Sequence, residues 1–179
     1  MTEAQLVEQC LKGNAFAQRR LYDQYSELLM GVCLRYMGSR ELAQDVLQEG
    51  FIRVFRKLDT YKGEGALGAW IRRIMVNTAL EHLRKLKKQE MTADFQEADY
   101  LIPEREQTLS GIGAKEIMQL IQQLPVGYRT VLNLYAVEGY NHREIAEQLG
   151  ISEGTSKSQY SRARNLLKKM LNRQTISAK

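Results

Sequence analysis

The chain is poor in the residues that break or pin a polypeptide. Only two prolines, Pro103 and Pro125, occur in 179 residues, and neither cuts a strongly periodic segment. Proline removes a backbone donor and ends helices, so its scarcity favours an all-α protein. The two cysteines, Cys10 and Cys33, lie far apart and in no metal-ligand spacing. A disulfide scaffold is thereby excluded, and the thiols read as the reduced residues of a cytoplasmic protein. The two histidines, His82 and His142, stand alone, so no metal site and no cofactor is expected. No apolar run approaches the roughly 18 residues of a membrane span, and the polar, acidic start does not read as a signal peptide. No Walker A loop, paired catalytic carboxylates or nucleophile motif is present, so no enzyme activity is expected.

What is present is a helix-turn-helix pattern at Asn141–Met170. Asn141 suits an N-cap, and Glu144 three residues on completes a capping box. Ile145, Ala146 and Leu149 recur at helical spacing, Gly150 suits the left-handed stop, and Ser152 caps a second helix almost at once. Two helices joined by so short a turn place the second as a candidate for a DNA major groove. That second helix carries an apolar stripe of Tyr160, Ala163, Leu167 and Met170. Lys157, Ser158, Ser161, Arg162, Asn165 and Lys169 fall elsewhere, and no acidic residue follows Ser156. The net charge of +5 is modest, so it points to a polyanion only where it is clustered.

Four helices are expected before this, at about 2–12, 15–37, 40–57 and 69–88. Their apolar faces include Leu6, Cys10 and Leu11; Phe16, Leu21, Leu28 and Tyr36; Val46, Phe51 and Val54; and Trp70, Ile71 and Met75. Trp70 is read as core. The fourth helix is strongly basic, through Arg72, Arg73, Arg84 and Lys85. Residues 89–111 then carry six acids against the single base Arg105, lose apolar periodicity and contain Pro103, the pattern of a flexible acidic linker. Two small helical domains follow from this, 1–88 and 112–179. In the second, Ile117, Leu120, Ile121 and Leu124, then Val131, Leu132, Leu134, Tyr135 and Val137, are the expected core, and the tail from Arg173 is expected to fray.

Three stretches together resemble one family. Glu41–Phe55 resembles the core-binding helix of bacterial sigma factors, Leu67–Ala79 the promoter-melting segment, and Glu144–Ala146 with Gly154–Thr155, Lys157–Ser158 and Arg162–Arg164 the C-terminal reading domain. Their order, the size and the missing middle domain resemble the extracytoplasmic-function group of the sigma-70 family. The resemblance implies a factor that binds core RNA polymerase and directs it to promoters. In this family the core-binding helix docks on a coiled coil of the largest subunit. Asp45, Gln48, Glu49 and Arg53 occupy the matching positions, and the flap of the second subunit is a further implied partner. The loop Asp59–Gly68 would receive a flipped base of the −10 element. Asn77, Arg72, Arg73, Lys62, Arg84 and Lys85 are the implied −10 contacts, and Thr155, Lys157, Ser158, Ser161 and Arg162 the −35 contacts. Promoter DNA and an anti-sigma factor are the other implied partners, with no small-molecule substrate.

The sequence departs from the family pattern at Gly50, at Leu67 and Gly68, and at Ser156 and Gln159, so its promoter preference is expected to be its own. Two other readings compete. A stand-alone helix-turn-helix regulator would bind its operator without polymerase, usually as a dimer. A helical adaptor would bind proteins only, which the basic helices disfavour.

Overall fold

The computed structural model describes residues 1–90 and 113–177, and the chain divides into two compact units, Met1–Asp94 and Phe95–Lys179. Every regular element among the described residues is helical. The first unit holds α1 (Glu3–Leu11), α2 (Ala15–Met37), α3 (Arg40–Lys57), a 3-10 turn (Leu58–Thr60) and α4 (Leu67–Glu90). The second holds α5 (Ala114–Gln123), α6 (Val126–Leu132) with a π-helical turn at Asn133–Val137, α7 (His142–Leu149) and α8 (Glu153–Ser177). The expected acidic linker lies outside the described residues except for its first two positions, which continue α4. The backbone of α8 is helical to Ser177, past the point where fraying was expected.

Local chemistry sets the helix ends of the first unit. Thr2 and Gln5 form a capping box on α1. Asn14 Oδ1 accepts from the Ala17 amide at 3.1 Å to start α2, and Ser39 Oγ accepts from the Leu42 amide at 3.3 Å to start α3. Each cap satisfies a donor that the helix itself leaves open. Between the last two, Gly38 takes φ +74 and ends α2, a conformation that costs glycine nothing.

Helices α2, α3 and α4 pack on one another, and α1 leans on α2. Leu21, Leu29 and Tyr36 of α2, Val46 and Val54 of α3, and Leu67, Ile71 and Met75 of α4 are fully buried. Each such side chain contributes about 1.5–3 kcal/mol by leaving water. Three residues expected in the core, Leu11, Phe16 and Leu28, are exposed. Each neighbours a buried position (Cys10, Ala17, Leu29), and one residue turns a helix by roughly 100°, out of the packed wedge.

In the second unit, Ile121, Leu124, Leu132 and Ala163 form a buried cluster with Tyr128, Tyr160, Leu166, Leu167 and Met170 against it. Arg129 is buried at the join of α5 and α6. Its Nη1 donates to Gln122 O at 2.8 Å and Leu124 O at 3.3 Å, satisfying carbonyls at the end of α5. Burial pulls its pKa below the ordinary arginine value. Ile117, Tyr135 and Val137, expected inside, are exposed; the last two ride on the π-helical turn, where an extra residue per turn shifts the register of the apolar pattern. No helix among the described residues is long and apolar enough to cross a membrane.

Candidate nucleic-acid interface

The helix-turn-helix forms as its local chemistry dictates. Asn141 Oδ1 accepts from the Glu144 amide at 2.9 Å, and Glu144 Oε2 accepts from the Asn141 amide at 2.8 Å. Gly150 stops α7 at φ +66, and Ser152 Oγ accepts from the Thr155 amide at 3.0 Å to start α8. A second fastening was not visible in the sequence. The His142 ring stacks on Tyr135 (centroids 4.4 Å, planes 14° apart), and its Nδ1 lies 2.9 Å from the Oγ of buried Ser156. Tyr160 packs on Tyr135 from α8 at 4.5 Å. The first turns of α7 and α8 are therefore bonded to each other, which sets the angle at which α8 is presented. Ser156, a departure from the family pattern, is part of this fastening.

The outer face of α8 is polar and cationic. Ser158, Arg162 and Asn165 are exposed and sit opposite the stripe of Ala163 and Leu167. Ser161 is exposed beside them, and Lys157 stands at the flank. Lys157 Nζ lies 2.7 Å from Glu153 Oε1, and this hydrogen bond holds the Glu153 carboxyl below the usual carboxylate range. Thr155 differs from its neighbours: it is half-buried, and its hydroxyl lies 2.8 Å from Ser152 Oγ, within the cap. Arg164 sits 5.7 Å over the Tyr160 ring. Gln159 faces inward, so that a Cβ on Gly127 would lie 3.3 Å from its Oε1.

In the first unit, Trp70, Arg73, Asn77 and Arg84 share a stripe of α4 about 60° wide. Arg73, Asn77 and Arg84 are exposed, as is Lys85, roughly 60° beyond the stripe on the Trp70 side. Arg72 is half-buried and roughly 140° round the helix from Asn77, so the expected basic cluster divides. Trp70 is not core. It is half-buried against Tyr61 (centroids 5.5 Å), on the exposed stripe, while the fully buried residues at this end of α4 are Leu67 and Ile71. Lys62 is exposed in the preceding loop, whose Gly63 and Gly65 take φ +74 and +83. Gly68, like Leu67 a departure from the family pattern, is shaped by α2, because a Cβ there would lie 3.0 Å from Tyr25 Cε1.

The outer face of α3 carries Asp45 and Gln48, both exposed, with Ile52 half in water one further turn on. Sequence reasoning missed Ile52 because an isoleucine in a helix reads as core. Its only sign was its place on the acid-and-amide stripe. Glu49 and Arg53 are engaged elsewhere. Glu49 Oε2 lies 2.6 Å from His82 Nε2, Arg53 Nη2 donates to Glu49 Oε1, and Arg53 Nη1 donates to Glu81 Oε2 at 2.6 Å. The hydrogen bond from His82, then the bond and charge of Arg53, hold the Glu49 carboxyl below its ordinary value. Burial lowers the Arg53 pKa, but the two carboxylates outweigh it and the net shift is upward. These four side chains tie α3 to α4, so the polar edge facing solvent is narrower than the sequence spacing predicts. Gly50 lets the two helices approach, because a Cβ there would lie 2.3 Å from Met75 Sδ.

An all-helical chain with a helix-turn-helix in one unit and a basic, aromatic-bearing helix in the other has the architecture of a two-part DNA-binding protein. The family description Sigma-70 region 2 matches residues 21–89, and Sigma-70, region 4 matches residues 114–167. The RNA polymerase sigma-H factor of Pseudomonas aeruginosa is 35% identical over 181 residues, covering 94% of this chain and 93% of that protein. The ECF RNA polymerase sigma-E factor of Haemophilus influenzae is 30% identical over 179 residues, covering 93% and 94%. Among solved structures, the sigma factor RpoE of Bartonella quintana in complex with the anti-sigma factor NepR shares the fold. Its TM-score is 0.52 at 22% identity, covering 86% of this chain and 96% of that one. The chain belongs to the sigma-70 family of RNA polymerase sigma factors, in its extracytoplasmic-function group.

Proposed function

We propose that the chain reads promoters in two parts while bound to core RNA polymerase. The second unit lays α8 in the −35 major groove, with Ser158, Arg162 and Ser161 at base edges or phosphates and Lys157 at the backbone. Thr155 presents the start of the helix. The first unit captures the opened −10 strand along the α4 stripe. There Asn77 offers an amide to a base edge, and Arg73, Arg84, Lys85 and Lys62 hold phosphates, with Arg72 backing the helix. Asp45, Gln48 and Ile52 contact the largest subunit of core, and Glu49 and Arg53 hold α3 in place for it. The partners are core polymerase, promoter DNA and an anti-sigma factor, and the place of action is the bacterial cytoplasm. No bond is made or broken by this chain. Opening a base pair costs a few kcal/mol, and stacking of a captured base contributes about 1–3 kcal/mol, so binding free energy is of the right size to drive melting.

The observation that carries this reading is the α4 stripe. A half-exposed indole, a free-facing amide and cations lie on one edge, directly after a loop whose two glycines allow close backbone approach. A duplex-only regulator has no use for that combination. The test is permanganate footprinting of promoter fragments with purified core polymerase. Thymines near −10 become reactive only when chain and core are both present. Binding of the chain to duplex DNA with no opening at any promoter would refute the proposal.

A further inference from the structure

We propose that Glu3, at the far end of the first unit, is a positioning residue for base capture, acting by clamping both ends of the loop at 62–66. The inference rests on the reading that this loop receives a promoter base. Helix α4 begins after Ala66, which has no side-chain acceptor for the first amides of the helix. Glu3 supplies it from α1: its Oε1 accepts from the Leu67 amide at 3.3 Å, across 64 residues of sequence. The single Tyr61 hydroxyl proton is shared between that oxygen, 3.2 Å away, and Gly65 O, 2.7 Å away. One carboxylate thus meets the residue before the loop and the residue after it, while the tyrosine it steadies also holds the loop's interior.

The loop needs such a clamp. Gly63 and Gly65 both hold positive φ, and glycine loses more conformational freedom on ordering than any other residue. No residue at 62–66 is buried, so packing does not order them. Tyr61 also packs at a tilt against Trp70, which places the clamp and the half-exposed indole in one assembly. Removing the Glu3 carboxylate would leave the Leu67 amide without its acceptor and Tyr61 held only by Gly65 and Trp70, without touching Asn77, Arg73 or the outer face of α3.

The experiment uses the full chain with core polymerase and compares Glu3→Ala, Glu3→Gln and Tyr61→Phe. Templates are an intact promoter and versions with a single abasic site stepped along the −10 non-template strand. Glu3→Ala is expected to slow open-complex formation roughly fivefold on the intact promoter, the factor given by one ordinary hydrogen bond. At the abasic position where the wild type itself slows most, the difference should vanish, since there is no base left to position. Glu3→Gln, which keeps the accepting oxygen, should restore most of the rate, and affinity for core should not change. Equal losses on intact and abasic templates would mean a general structural role and overturn the proposal, as would wild-type rates for Glu3→Ala. Should Glu3→Ala not fold, Tyr61→Phe carries the same test, because it keeps the ring and removes only the hydroxyl. Failure of the wild-type chain to open any promoter would instead sink the sigma reading itself, and the inference with it.

Discussion

Glu49→Ala separates a structural role from a docking role on α3. The substitution removes the contact with His82 Nε2 at 2.6 Å and the bond from Arg53 Nη2. Arg53 keeps Glu81 at 2.6 Å, so no guanidinium is orphaned, and the cost is that of the lost bonds alone. A charge-assisted bond is worth about 1.5–3 kcal/mol. Here the side chains are a fifth to a third exposed (Glu49 33%, Arg53 25%, His82 20%). Solvent screening at that exposure cuts each bond to about 1 kcal/mol, about 2 kcal/mol for the pair. For a unit of this size that lowers the melting temperature by about 10 °C. Trp70 is the only tryptophan and lies in the first unit, so its fluorescence reports the unfolding of that unit alone. The effect has a pH signature. The folded-state carboxyl is held below its ordinary value of 4.5. Its stabilisation is therefore full above that value and is lost as pH falls through the depressed folded value. The gap between wild type and variant should shrink in the acid range below 4.5. A variant that melts within about 2 °C of wild type at neutral pH would refute this reasoning. If that variant had also lost core affinity, Glu49 would be a docking residue after all.

Other outcomes follow from the same geometry. Asp45→Ala with Gln48→Ala should weaken core association by roughly tenfold, the effect of one to two ordinary interface contacts, and leave the Trp70 melt unchanged. Arg162→Ala should cost about 1–3 kcal/mol in binding of a −35 duplex and flatten its salt dependence by about one ion, with core affinity untouched; filter binding at several salt concentrations measures both. Gly150→Ala, forcing a Cβ into the left-handed turn at φ +66, should destabilise the second unit by about 1 kcal/mol and lower −35 affinity without removing a DNA contact.

The helix ends were legible because they are written locally. Asn141 and Gly150 act within a few residues, and each does in the fold what its position in the sequence implies. Features that join distant segments were not legible. The network of Glu49, Arg53, Glu81 and His82 spans up to 33 residues of sequence, and turning Glu49 toward His82 removes it from the edge its spacing suggested. Periodicity placed Phe16, Leu28 and Trp70 inside because it reports that a face is apolar without saying how wide the packed wedge is. Helix α2 packs on three others and still leaves part of its apolar surface in water. The departures from the family pattern make sense as packing. Gly50 gives room to Met75, Gln159 covers Gly127, and Ser156 bonds His142. None of these partners could be paired from sequence alone.

The most direct test of the central claim is transcription from genomic promoter fragments by purified core polymerase, with and without this chain. Discrete start sites are expected only when the chain is added. They should be lost when either the α4 stripe (Arg73→Ala with Asn77→Ala) or the α8 face (Arg162→Ala with Ser158→Ala) is removed. Start sites that survive loss of the α4 stripe, or operator binding with no chain-dependent initiation, would contradict it.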